Sequence, residues 1–402
     1  MVTLRIVLAC ILNMLSRLIP RRADLVVCGA HYGDTYSSNP RYFFEYLARH
    51  TRMHCYWVGK NEVRDKLPED LRSLFVCKGS LNAIILSLRA KYWVLDHGYE
   101  DVTNMPIFGR ARMINLWHGI PIKRMGRDSK YVKAHFAPKT GFRAFKSKVY
   151  DLVRVRPQCY ISVSSDKMAE IMEISNESFS VDRVVRAGSS RNDFLIENAA
   201  NVDLIRAIKH RQAEYLNIDA RKRLILYMPT WRMTHAKVFS FLTLEGVYKQ
   251  RLDRILAKHN AVILEKHHPY TYRAQEFPET RSDNVVLLPK EINQHFDPQE
   301  LFLIAEVLIS DYSSSYIDYA LMKRPCIHFA YDLEEYSTAD SGLVYRYEDV
   351  VAGPIVQSVD ALLDAVVNAL DHPSFCPARG FAGLVAYESG NASQTVYKEL
   401  MV

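Results

Sequence analysis

The chain has 402 residues, of which 49% are hydrophobic and 24% charged. That length suits two domains of ordinary size with real cores, and it excludes a disordered or low-complexity polymer. A net charge of +7 fits anionic partners such as acidic lipid headgroups, phosphorylated substrates or nucleic acid, without choosing among them.

Along residues 1–19, Leu4, Leu8, Ile11, Leu15 and Leu18 repeat at helical spacing, with Arg5, Asn13, Ser16 and Arg17 on the other side. Two arginines argue against a spanning helix. The apolar run from Ile6 to Leu12 is short for a signal peptide, and no clean cleavage pattern follows it. The expectation is an amphipathic helix over 1–22. It either lies on a membrane, with its basic residues near anionic lipid, or docks its apolar stripe on its own domain.

From Asp24 onward, short β-branched runs alternate with helical stretches. Strands are expected at 24–30, 54–59, 92–98, 113–119, 159–165 and 184–188, with helices between them, as at 80–90 and 166–174. The alternation weakens in a polar stretch near 195–220. It then restarts with strands at 223–230, 261–268, 285–289, 307–311 and 325–332, a helix over 244–259 and a last helix near 391–401. Near-continuous apolar strands separated by helices imply parallel sheets covered on both faces. The predicted architecture is α/β: a Rossmann-like domain over 23–197, a linker helix over 198–220, a second Rossmann-like domain over 221–385, and a C-terminal helix over 386–402 that packs back. Two such halves suggest a cleft with ligands at the carboxyl ends of the strands. Asp96, His97, His118, Ser164, Ser165, Thr230, His268, Asp311 and Asp332 all fall at or just past an expected strand end.

Four segments carry residues suited to chemistry. In LWHGIPIKRMG, residues 116–126, His118 meets Gly119 at a strand exit, with Lys123, Arg124 and Arg127 following. Such a histidine takes a proton from a hydroxyl while cations hold a phosphate, or it is a structural group bonded to backbone. In EKHHPY, residues 265–270, Lys266 and His268 suit a diphosphate. The adjacent His267 has no partner at metal-ligand spacing, so no metal site is expected. In SDYSSSYIDYA, residues 310–320, Ser313, Ser314 and Ser315 open a helix as caps, as a phosphate cradle, or as both. Ser310 and Asp311 end the strand before it, and Asp311 suits backbone or a donor hydroxyl. In YMPTWR, residues 227–232, Thr230 and Arg232 sit at a strand end, and Arg232 is either a bidentate phosphate ligand or a solvated group. No GxxxxGK[ST], GxGxxG or GxSxG segment occurs where P-loop, dinucleotide or hydrolase chemistry needs it. The seven cysteines, odd in number and without a CxxC pair, argue against a disulfide framework and for a reducing compartment.

Taken in order, these segments resemble the CDP-glycerol:poly(glycerophosphate) glycerophosphotransferases of teichoic acid and capsule synthesis. Residues 117–126 match a WHG-[TI]-P-[LI]-K-[KR]-x-G block, 229–232 a P-T-[FW]-R block, and Lys266, His268 and Pro269 a K-x-H-P block. Residues 310–319 match [TS]-D-Y-S-S followed by D-Y, and FAYDLEEY at 329–336 resembles the segment after it. GSSRNDFL at 188–195 and SSNPRYFFEYL at 37–47 are similar to two further blocks, the latter placing Asn39 with Lys123 and Arg124 on the acceptor side. The chain departs from the family at Ser341–Gly342 and at Ala352–Gly353–Pro354.

The resemblance implies a GT-B fold and a peripheral enzyme on the cytoplasmic face of the membrane. His118 is then the general base and His268 the donor-diphosphate histidine. Thr230, Arg232, Lys266, Ser310, Asp311, Ser313, Ser314 and Ser315 line the donor site. The co-substrate is CDP-glycerol, or CDP-ribitol, with no tightly bound cofactor. The implied partners are a lipid-linked saccharide or polyol-phosphate acceptor and an anionic inner membrane surface, and no nucleic acid. The size is nearer the primase type than the longer polymerases. Two rival readings remain: a GT-B nucleotide-sugar transferase or epimerase, and a non-enzymatic membrane-peripheral glycan-binding protein.

Overall fold

The computed structural model describes residues 10–124, 158–175, 183–232, 237–277, 281–292, 296–339 and 342–402. Leu4, Arg5, Leu8, Gly126, Arg127 and Ser341, which the sequence singles out, lie outside the described residues.

The chain divides into two compact units. The first comprises Met1–His118, Gly126–Asp193 and Tyr387–Val402. Its sheet contains β1 (Arg22–Cys28), β2 (His54–Gly59), β3 (Phe75–Cys77), β4 (Ala90–Leu95), β5 (Arg112–Asn115), β6 (Gln158–Val163) and β7 (Val184–Arg186), in the order 3-2-1-4-5-6-7. Every neighbouring pair is parallel. The expected strands are present, most of them ending two to four residues earlier than the apolar pattern suggests. The polar residues just past each end therefore lie in loops, not in the sheet. The three-residue edge strand β3 was not expected, because Phe75–Cys77 is too short to show a period. The order reverses between β1 and β4, and at such a switch point the loops leaving the two strands part and open a crevice.

The core of this unit packs Phe43, Phe44 and Leu47 of helix Ser38–His50 and Val396 of the last helix around Val26, Trp57, Tyr92 and Ile114. The last helix, Ala392–Leu400, is tied in at its start. The Ala392 and Ser393 amides donate to the two carboxylate oxygens of Asp193 at 2.8 and 2.9 Å. A negative group at a helix start meets its free N–H groups and its dipole. Gly188, at φ +90°, passes the incoming chain so closely that a Cβ would lie 2.8 Å from the Tyr387 carbonyl oxygen.

The second unit comprises Gly119–Met125 and Phe194–Ala386. Its sheet contains β8 (Arg223–Met228), β9 (Ala261–Glu265), β10 (Val285–Leu287), β11 (Val307–Ser310), β12 (Cys326–Phe329) and β13 (Ile355–Val356), ordered 10-9-8-11-12-13 and again parallel throughout. Its switch point falls between β8 and β11. Helices Gly246–Lys258 and Val359–Asp371 bury Leu252, Leu256, Leu362, Leu363 and Val366 against the sheet. Helix Val202–Leu216, expected as a linker helix over 198–220, falls inside this unit and packs on helix Pro298–Ile304. Four of its residues are buried, among them Ile208 and Leu216, which a solvated linker would not bury.

Residues 10–16 form a helix whose orientation inverts the docked alternative. Its polar side faces the protein: Asn13 and Ser16 are buried, and Asn13 donates to the Pro106 carbonyl at 2.9 Å. Ile11, Met14, Leu15 and Leu18 stand outside, 47–79% exposed. Arg21, just past this helix, is a structural group. Its guanidinium donates to the carbonyls of Ser87, Ala90, Ile107 and Phe108. No helix among the described residues is long and apolar enough to cross a membrane.

Candidate active site

In the first unit the functional side chains leave β1, β4 and β5. His118 is exposed, three residues past β5. The residue before it, Trp117, has φ +56°, a left-handed conformation that is strained for a bulky side chain. Neighbours hold it there. Asn115 Oδ1 accepts from the Trp117 amide at 2.8 Å, and Asn39 Nδ2 donates to the Leu116 and Trp117 carbonyls, both at 2.9 Å. Asn39 Oδ1 accepts from the Arg191 amide, while Arg191 Nη1 donates to the His118 carbonyl at 2.8 Å. Asn39, expected to face the acceptor, is thus 1% exposed and acts as a brace beneath the histidine.

His118 Nδ1 lies 3.3 Å from the Asp96 carbonyl oxygen. That oxygen only accepts, so the neutral ring carries its hydrogen on Nδ1 and presents a bare Nε2. The crowded surroundings push its pKa down to about 4. The charge of His97, stacked on it at 4.6 Å, acts in the same direction, and Asp96 opposes it. His118 is therefore neutral at pH 7 and able to accept a proton.

Asp96 is fully buried and links two further histidines. Its Oδ1 accepts from His97 Nδ1 at 2.7 Å and from the His31 amide at 3.0 Å. Its Oδ2 faces His31 Nε2 at 3.4 Å. Burial disfavours the Asp96 carboxylate, but the His97 hydrogen bond and the two imidazoles outweigh it and hold the pKa low. Burial likewise pulls His97 down, and the Asp96 hydrogen bond and charge more than reverse it. Asp101 braces the loops: it accepts from the Tyr32, Asp96 and His97 amides at 2.8–3.0 Å. Burial and the Asp96 charge raise its pKa to about 6. Gly29 permits this approach, since a Cβ there would lie 2.5 Å from the Asp101 carbonyl oxygen.

In the second unit the corresponding residues leave β8, β9 and β11. His268 is exposed, three residues past β9, and stacks on Tyr270 at 5.3 Å with Trp231 at 6.1 Å. Its Nδ1 accepts from the Tyr270 amide at 3.3 Å, so the neutral ring carries its hydrogen on Nε2. Desolvation, then Lys266 and Lys123, push its pKa down to about 4. Lys266 is buried, and desolvation lowers it to about 8 against the pull of Asp297. His267 is a core group, 3.1 Å from the buried Glu265 carboxylate.

Lys123 and Arg124, expected on the acceptor side, group with the second unit. Lys123 bridges to Leu343 and stands 5.6 Å over the Tyr336 ring, and Arg124 donates to the Leu343 carbonyl. Ser313, Ser314 and Ser315 are partly exposed at the start of the short helix Ser315–Ala320, with the Ser313 and Ser315 hydroxyls 2.8 Å apart.

Four expected donor ligands, Thr230, Arg232, Ser310 and Asp311, are instead turned inward. Arg232 is 2% exposed, and its guanidinium is held by Asp332 at 2.6 and 3.0 Å, by Asp311 at 2.9 Å and by the Thr230 carbonyl at 2.6 Å. Little of its donor capacity remains for a phosphate. Asp311 also accepts from the Thr230 amide, and Ser310 donates to the Met228 carbonyl across the β8–β11 pair. The Thr230 hydroxyl is buried without a partner among the described residues. Sequence reasoning passed over Asp101, His31 and Arg191. Arg191 lies inside the GSSRNDFL block, which was the available signal. Nothing local marks His31, whose partners are 65 and 66 positions away.

Comparison with known proteins bears on the family and the fold. The family described as CDP-Glycerol:Poly(glycerophosphate) glycerophosphotransferase matches residues 11–402. A teichoic acid glycerol-phosphate transferase of Staphylococcus aureus (strain NCTC 8325 / PS 47) is 29% identical, covering 96% of this chain and 94% of that protein. Among solved structures, the wall teichoic acid polymerase TagF superposes with a TM-score of 0.69 at 25% identity, covering 99% of this chain and 96% of that one. A UDP-GlcNAc 2-epimerase from Methanocaldococcus jannaschii, at a TM-score of 0.51 and 11% identity over 94% of this chain and 99% of that one, shares the GT-B fold alone. With that match spanning both parallel-sheet units and every segment that positions the two histidines, the chain belongs to the CDP-glycerol:poly(glycerophosphate) glycerophosphotransferase family.

Proposed function

We propose that the protein transfers glycerol phosphate from CDP-glycerol to a hydroxyl of a lipid-linked saccharide or polyol-phosphate acceptor in teichoic acid or capsule synthesis. The observation that carries this reading is the pair of opposite tautomers. His118 is neutral with Nε2 bare, the form of a base, and His268 is neutral with Nε2 bearing hydrogen, the form of a donor to phosphate oxygen.

In this mechanism the acceptor O–H proton passes to His118 Nε2 as the oxygen bonds to the β-phosphorus of CDP-glycerol. The bond from that phosphorus to the bridging oxygen breaks, and CMP leaves with the bonding pair. His268, Lys266 and the Ser313–Ser315 turn stabilise charge on the diphosphate. Such transfer depends mainly on positioning and electrostatics. A TagF structure soaked with CDPG supports the donor assignment.

The test is CMP release from CDP-glycerol with a lipid-linked disaccharide acceptor, product mass giving the number of units added. CDP-ribitol runs in parallel. Wild-type turnover in both His118→Ala and His268→Ala would end the mechanism. A membrane surface is the second part of the proposal. The outward row Ile11, Met14, Leu15 and Leu18 is placed to enter the interface of an anionic bilayer, with Arg17 near its headgroups.

A further inference from the structure

At the switch point between β1 and β4 stand three side chains to which the transfer mechanism assigns no step of their own: His31, Asp96 and His97. We propose that they form a binding site for one divalent transition-metal ion, of which Zn²⁺ is the type, beside His118. One ligand-type atom from each lies within 4.8 Å of the others. Two imidazoles and a carboxylate are the donor set that suits zinc, iron or manganese, whereas magnesium and calcium prefer oxygen alone.

Three independent features favour an ion over a simple cluster of charges. Asp96 is 0% exposed, yet its Oδ2 has no hydrogen-bond partner among the described residues. A buried carboxylate oxygen left so is unfavourable, and it is aimed at His31 Nε2, where a cation would meet both. The histidine side chains are 38% and 26% exposed, so one side of the site stays open to water or substrate, as in sites where metals act on ligands. The frame is rigid and strained in the way functional sites are. His31 and Tyr32 hold φ +46° and +60°, and Asp101 pins the Tyr32, Asp96 and His97 amides at once.

The ion's second task rests on the transferase reading: with His97 stacked on His118, it would hold an oxygen of the acceptor beside the base.

The test uses the full chain stripped with EDTA and titrated with Zn²⁺ by calorimetry, with metal content measured after dialysis and CMP release assayed before and after stripping. One equivalent is expected in the wild type. His31→Asn, which tolerates the left-handed backbone, and His97→Gln should each weaken binding by more than the roughly 10–100-fold that loss of an outer-shell partner costs. Circular dichroism and melting in EDTA establish that both variants fold. Wild-type protein that takes up no zinc overturns the site, as does an equivalent retained at unchanged affinity in both variants. CMP release that is equal in stripped and loaded protein overturns the second task. Zinc uptake without any CMP release would sink the transferase reading and leave the site standing.

Discussion

Arg232 offers the sharpest division between a ligand residue and a structural one. Its guanidinium sits between Asp311, 2% exposed, and Asp332, 13% exposed, and 5.1 Å over the rings of both Tyr312 and Tyr336. Replacing it with methionine keeps most of the volume and removes the charge, leaving two carboxylates facing each other in a nearly dry site. Breaking a buried ion pair from one side costs about 3–5 kcal/mol. For a domain of this size each kcal/mol moves the melting point by about 2–4 °C. The melting transition of the second unit should therefore fall by roughly 6–20 °C. Scanning calorimetry of Arg232→Met reads this directly. Arg232→Lys should recover only part, because an ammonium cannot span both carboxylates with a planar fork. The triple variant Arg232→Met, Asp311→Asn, Asp332→Asn should recover most of it, since no uncompensated charge is left. A methionine variant that melts like the wild type while losing affinity for CDP-glycerol would refute the reasoning and return Arg232 to the phosphate.

Asn39→Ala should lower stability by about 2–4 kcal/mol, because it strips partners from two carbonyls and one amide at once. It should also reduce the rate of CMP release by freeing Trp117 from its left-handed conformation; a raised KM with unchanged melting would instead mark an acceptor ligand. His118 acts when unprotonated, and its pKa is displaced downward to about 4. The acid limb of kcat/KM should accordingly lie below the ordinary histidine value of about 6.5, with full activity at pH 6.5; half-loss at or above pH 6.5 contradicts the assignment. Leu15→Asp with Leu18→Asp should abolish sedimentation with vesicles rich in anionic lipid while leaving the melting point within about 1 °C, because both side chains already face outward; a large drop in melting point would mean that they pack on protein.

The strands were readable because a parallel sheet buried on both faces demands unbroken apolar runs. VVC in β1, YWVL in β4 and LILYM in β8 leave little else to choose. What escaped was governed by contacts with no local signature. β3 and β13 are edge strands of three and two residues, shorter than one full alternation. Helix Val202–Leu216 reads as a polar linker because most of its length is wet, and only Ile208, Gln212, Ala213 and Leu216 are buried in the second unit. Residues 10–16 invert the usual rule, burying Asn13 and Ser16, because a hydrogen bond to Pro106 and close contact with Gly109 favour the polar side inward.

The site was legible to the extent that its residues act where the chain leaves a strand, and obscure where they act through one another. His118 and His268 each follow their strand by three residues, a position that left their chemistry open until the family resemblance implied their roles. Those roles turn on which ring nitrogen is occupied, and that is set by the Asp96 carbonyl in one unit and the Tyr270 amide in the other, neither of which a residue type encodes. Arg232 shows the converse. Arginine at a strand exit is the chemistry of phosphate binding, but Asp311 and Asp332, 79 and 100 positions away, claim it first. Both carboxylates leave the sheet beside β8 because β11 and its neighbour β12 do, so the switch in strand order decides that the guanidinium is a post. The same switch in the first unit sets His31 against Asp96 and His97. The same strand order around the switch thus yields a closed, fully paired ion cluster at one switch point and an open, partly unpaired one at the other. The difference lies in the cation: a guanidinium built into the chain completes the second, while the first holds a carboxylate oxygen and two imidazoles whose chemistry calls for an ion from solution.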